Sequence, residues 1–178
     1  MILFMNKSII KNIRYRKGGA FMYEKQIMKL CIESCIDGMN NHEGGPFGAA
    51  IVKDGKVLVI THNTVIKTND PTAHGEINAI REACKKLNTF DLSGCELYTT
   101  SEPCPMCMSA IIWANISKVY YACTVQDARD IGFRDEHILS FLKNDCKDKK
   151  TLDLEAVDKT EALKAFDFWK KDNLKTNY

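Results

Sequence analysis

The chain has 178 residues, 45% of them hydrophobic and 27% charged, which is enough for one ordinary domain with a real core and too little for two. Its formal net charge of +2 excludes the strongly basic face of a dedicated nucleic-acid binder, unless a local patch hides within that near-neutral total. No stretch approaches the roughly 20 apolar residues of a membrane helix, and the opening MILFM is too short, and its basic residues too late, for a secretory signal.

Without such a signal, the eight cysteines read as reduced thiols of a cytoplasmic protein, placed by burial or metal binding rather than by disulfide pairing. Residues 1–21 have no amphipathic period and no acidic side chain. They read as a non-native or disordered extension, because KGGAFM can be encoded by codons resembling a ribosome-binding site ahead of Met22. The native start is therefore expected at Met22, leaving one domain over 22–178.

Within that domain, the spacing of Ile27, Leu30, Cys31 and Cys35 predicts a helix from Tyr23 to about Met39, closed by GMNNHEGG. GAAIVKDGKVLVITHN predicts a β-hairpin turning at Asp54-Gly55. A polar loop from Thr64 to Pro71 then leads into a helix from about Thr72 to Leu87, with Ile77, Ile80, Cys84 and Leu87 on one face. CELYTT reads as a strand, CPMCMSAIIWA as a helix and KVYYA as a strand, an order that suggests a parallel crossover with helices on the faces of a sheet. Beyond the charged connector KNDCKDKKT, a short strand LDLEAV and a last helix from Lys159 to Lys171 complete the expectation.

The chemistry gathers in TAHGEINAI and SEPCPMC. Cys104 and Cys107, three apart at a helix start, direct both sulfurs to one side, where the N-terminal amides favour thiolate over thiol. Adding the imidazole of His74 gives two sulfurs and a nitrogen, a set that suits Zn2+ and leaves a fourth tetrahedral position for water. Glu76, two residues beyond His74, is poorly placed as a fourth ligand but suited to moving a proton beside that water. A C-x-x-C pair on its own also fits a redox dithiol or half of a structural zinc site, yet no second C-x-x-C is present to complete such a site.

H-x-E followed by P-C-x-x-C is the signature of zinc-dependent nucleobase deaminases. From about Tyr23 to Tyr178 the chain resembles the cytidine deaminase superfamily and, within it, the bacterial guanine deaminases. The segments that carry the likeness are GGPFGAAIVKDGK, HNTVIKTNDPTAHGEINAI, SEPCPMCMSAIIWA, DARDIGF and AFDFWKKDNLKTNY. The resemblance implies an α/β fold of three layers, α/β/α, with a central mixed sheet of about five strands. It also implies hydrolysis of guanine to xanthine and ammonia, with zinc-bound hydroxide as nucleophile and Glu76 as proton shuttle.

Residue by residue, Asn63 matches a base-reading asparagine, with a turn asparagine as the alternative. Asp127 matches a second proton carrier, with a helix cap as the alternative. Phe47 and Trp113 match aromatic positions lining the base pocket, and either also suits a plain core. The terminal segment 159–178, with Phe166, Trp169 and Tyr178, matches one exchanged between the subunits of a homodimer, Tyr178 closing the partner's site; the alternative is a helix packed on its own subunit. Gly75 stands where the family more often has alanine, a change expected to be tolerated because glycine costs at most about 0.5–1 kcal/mol in a helix. Rival readings are a tRNA adenosine deaminase, a deaminase of cytosine or a related heterocycle, and a zinc module without activity.

Overall fold

The structure is a computed structural model that describes residues 23–177; the extension 1–21, the start at Met22 and the terminal Tyr178 lie outside the described residues. The chain divides into two compact units, one running to Asp135 and one from Glu136 onward.

The first unit opens with α1 (Lys25–Asn40), followed by the hairpin β1 (Gly48–Lys53) and β2 (Lys56–His62). Its turn at Asp54 and Gly55 takes positive φ at both residues, 49° and 69°, the twist that lets two adjacent strands pair tightly. A single turn α2 (Val65–Thr68) precedes α3 (Gly75–Leu87), β3 (Cys95–Ser101), α4 (Pro105–Trp113) and β4 (Lys118–Cys123). The strands form one mixed sheet in the order β2-β1-β3-β4, with β1 antiparallel to β2 and β3, and β3 parallel to β4. The parallel pair is joined through α4, as the strand–helix–strand order predicts.

Side-chain alternation on the two central strands builds two cores. Ala49 and Ile51 of β1, with Cys95 and Leu97 of β3, pack on Ala79 and Ala83 of α3 and Ile111 of α4. Ala50, Val52 and Tyr98 face the other way, onto Ile27, Met28 and Cys31 of α1. Every residue of β3 is buried, as expected of a central strand covered on both faces.

After β4 come α5 (Val125–Asp130) and α6 (Asp135–Lys143), and the second unit ends in α7 (Lys159–Lys171), the bounds expected of the last helix. The sheet among the described residues has four strands rather than about five, because LDLEAV pairs with no other strand. Its alternation of Leu152 and Leu154 with acids resembles a strand, but both leucines are more than half exposed, so no buried face rewards that pattern.

Leu97, fully buried at the centre of the sheet, sets a reference for stability. Leu97→Ala should cost about 2–5 kcal/mol, read as a lower denaturant midpoint with an unchanged slope.

Candidate active site

The site is built where two helices begin. His74 is the N-cap of α3, its backbone extended at φ −69° and ψ 158°. Helix does not start at Thr72 as the sequence suggests, because Asp70 Oδ1 accepts from both the amide and the hydroxyl of Thr72, at 2.8 and 2.6 Å, and holds an Asx-type turn that delays the first helical residue to Gly75. Cys104 occupies the same place on α4, as an extended N-cap with Pro105 opening the helix. Neither N-cap side chain bonds its own helix, which leaves imidazole and thiol directed at one another.

Cys104 Sγ and Cys107 Sγ each lie 3.6 Å from His74 Nδ1. The three ligand atoms lie within 4.8 Å of one another. Ideal tetrahedral zinc, with Zn–S near 2.3 Å and Zn–N near 2.0 Å, places sulfur and nitrogen roughly 3.5–3.6 Å apart. The donor set therefore fits a single zinc ion in both chemistry and spacing. Cys104 is held down to about 4 by the hydrogen bond from Cys107 and then by His74, whereas donating that bond and burial push Cys107 up. One thiolate is thus favoured before any metal arrives, and His74 is raised in turn, chiefly by its contact with Cys104.

Glu76 stands in the first turn of α3 and is only 4% exposed. Thr99 Oγ1 donates to its Oε1 at 3.2 Å, and Cys107 Sγ lies 3.5 Å from its Oε2. Burial raises its pKa, so this carboxyl accepts and holds a proton more readily than a surface glutamate.

A small cavity opens over these groups, lined by Phe47, His74, Glu76, Ser101, Glu102, Cys104, Phe133 and Asp135. Phe47 and Phe133 meet edge to face with centroids 4.6 Å apart. Gly75 belongs to this wall as well: a Cβ there would lie 2.8 Å from the carbonyl oxygen of Phe47, so only a bare α-carbon lets α3 approach that closely. The alanine that the family more often carries does not fit here without a shift of backbone.

Other residues named from the sequence lie elsewhere. Asn63 is buried just after β2, its Oδ1 accepting from Val65 N at 3.1 Å and Gly45 N at 3.4 Å. It does not line the cavity itself. It is enclosed by the Gly44-Gly45 turn, where a Cβ on Gly44 would fall 2.2 Å from Asn63 Oδ1. Asp127 is exposed and closes a capping box at the start of α5, accepting from the amide and hydroxyl of Thr124, both at 2.7 Å. These bonds hold its carboxyl below the ordinary range, which disfavours proton carriage. Trp113, at the end of α4, is 65% exposed and away from the cavity lining. Tyr178 lies outside the described residues.

Sequence reasoning missed Asp135, which lines the cavity together with Glu76 and Glu102. Burial raises Asp135, followed by the negative charge of Cys104. The segment from Asp127 to Glu136 holds four acids, and residue type alone does not single out the one that lines the cavity. His62, at the end of β2, is half-buried, with Nε2 2.8 Å from Glu43 and Nδ1 3.0 Å from Ser34.

With this geometry in place, residues 22–123 match the family described as the cytidine and deoxycytidylate deaminase zinc-binding region. A guanine deaminase of Bacillus subtilis (strain 168) is 41% identical over 157 residues, covering 88% of this chain and all of the relative. The crystal structure of guanine deaminase from Bacillus subtilis superposes with a TM-score of 0.79, covering 88% of this chain and 99% of the other at 41% identity. A tRNA-specific adenosine deaminase of Aquifex aeolicus (strain VF5) is 52% identical, but over 77 residues, 43% of this chain and 51% of the relative.

Elemental analysis should find a single zinc per chain. His74→Ala should lower that content sharply while the far-ultraviolet spectrum of the sheet and helices persists, and chelation should lower the melting temperature of the wild type.

Proposed function

The chain belongs to the cytidine and deoxycytidylate deaminase family, and from that membership we propose that it hydrolyses a free purine base, guanine, to xanthine and ammonia. The observation that carries this reading is the reach of the likeness to guanine deaminase along the entire length of that relative, far beyond the metal motifs. The likeness to tRNA-specific adenosine deaminases is shorter, spanning 43% of this chain for one relative and 69%, at 34% identity, for another. A small cavity and a near-neutral total charge also favour a free base over a tRNA loop.

His74, Cys104 and Cys107 would hold the zinc, which when bound supplies an acidified water as nucleophile. Glu76 takes the proton of the attacking water and delivers it to the ring nitrogen beside the amine-bearing carbon, its Oε1 steadied by Thr99. Asp135, rather than Asp127, lines the cavity together with Glu76 and Glu102 and serves protonation of the departing amine. Phe47 and Phe133 bound the ring plane and exclude water. Asn63, its Oδ1 engaged by the amides of Gly45 and Val65, shapes the turn behind the cavity, and a base-reading role falls to its Nδ2 only if the Gly44-Gly45 turn opens to the substrate.

The finer readings extend the same scheme: a cytoplasmic enzyme of purine catabolism, working as a homodimer that exchanges residues 159–178. Support for the exchange comes from α7, where Phe166 and Phe168 are 69% and 77% exposed and Leu163 and Trp169 nearly half exposed. Apolar side chains so open on one helix are suited to burial against a second copy, with Tyr178 then lidding that copy's site.

Following ultraviolet absorbance with guanine, adenine and cytosine tests the substrate directly. Turnover of guanine is expected; inertness toward every free base combined with salt-sensitive tRNA binding would favour the RNA enzyme. Glu76→Ala should keep its zinc and lose about 10²–10⁴-fold in kcat. Asp135→Asn should lower kcat at unchanged zinc content, and Asp127→Ala should lower the melting temperature while leaving kcat near the wild type. Deleting Lys175 to Tyr178 should impair turnover more than folding, and a fully active monomer after that deletion would refute the exchanged lid.

A further inference from the structure

Three adjacent hydroxyls end β3, and two of them are engaged by the protein. Thr99 donates to Glu76 Oε1 at 3.2 Å. Thr100, on the opposite face, accepts from Gly48 N at 3.0 Å and donates to Pro46 O at 3.1 Å. The third, Ser101, is 5% exposed, and its Oγ is the one buried side-chain polar atom without a partner among the described residues. Ser101 lines the cavity together with His74, Glu76 and Cys104.

A buried hydroxyl left unpaired is costly, and native proteins rarely tolerate one without a use for it. Here the residue that carries the orphan atom lines the cavity in which a ligand would sit. It lies two residues from Thr99 on the same face of the strand, next along from the group that steadies Glu76. Resting on the guanine reading above, we propose that Ser101 contacts the substrate directly, its hydroxyl hydrogen-bonding the amine-bearing edge of the purine. A hydroxyl suits that place because it both donates and accepts and rotates freely. It accepts from the amine of the substrate and, once a carbonyl replaces that amine, turns to donate to the product. A fixed donor or a fixed acceptor matches one of the two and opposes the other.

Ser101→Ala separates this role from a structural one, because the two move stability and function differently. In zinc-loaded protein, kcat/KM for guanine should fall about 10–100-fold, the loss expected for one hydrogen bond in a closed site. Xanthine binding, measured calorimetrically, should weaken in parallel. Zinc content should hold and the melting temperature should not drop, since the variant removes an atom that bonds nothing in the protein. Ser101→Cys, a weaker hydrogen-bonding group of similar shape, should recover part of the loss.

Unchanged kinetics and xanthine affinity in Ser101→Ala would overturn the proposal, as would a lower melting temperature at full activity or a failure of the variant to fold. If the wild type deaminates another base of the panel but not guanine, the same variants measured on that base decide the role of Ser101 separately from the identity of the substrate. A wild type that deaminates no base removes both readings.

Discussion

The organising constraint is the meeting of two helix N-termini. His74 and Cys104, thirty residues apart, are each the extended residue just before a helix, and each leaves its own helix uncapped. The amides that begin a helix carry partial positive charge, so two such ends aimed at one point favour thiolate there. That is the environment a dication with anionic ligands requires. The ends meet because β3 runs between them: α3 feeds the strand, α4 leaves it, and the parallel partner β4 fixes the crossover. The general rule that α/β proteins bind ligands outside the carboxyl ends of their parallel strands applies here in miniature.

Around that point the protein sorts hydroxyls, carboxyls and apolar walls by the faces of one strand. Thr99 and Ser101 share the face toward Glu76, while Thr100 secures β1 at Gly48 from the other side. Two carboxyls of the cavity differ in company: buried Glu76 has a threonine as donor and a thiol beside it, whereas half-buried Asp135 is raised by desolvation and by the charge of Cys104. Two acids in one cavity with different surroundings suit successive proton transfers.

The sequence disclosed what depends on local pattern. The hairpin at Asp54-Gly55, the helices carrying Ile27 and Ile77, and the trio of His74, Cys104 and Cys107 each follow from spacing within a few residues or from a two-part motif. What depends on long-range geometry stayed hidden. LDLEAV alternates like a strand yet finds no ladder, and Trp113 is an aromatic on the metal-bearing helix that turns outward. Asp127 and Asp135 are equivalent in composition, and a capping box at Thr124 occupies the first. Ser101 and Thr99 are two small hydroxyls on one strand, and their difference is set entirely by which neighbour reaches them.

The contact between Gly75 and Phe47 ties two parts of the molecule into one mechanical unit. The residue between histidine and glutamate acts as a spacer of fixed thickness between the metal helix and the aromatic wall. Adding bulk there works as a shim, widening or tilting the slot from behind without presenting any new atom to the occupant. A laboratory lineage selected for larger or differently shaped bases would therefore find an adjustable joint at this position, outside the set of residues that touch the ligand.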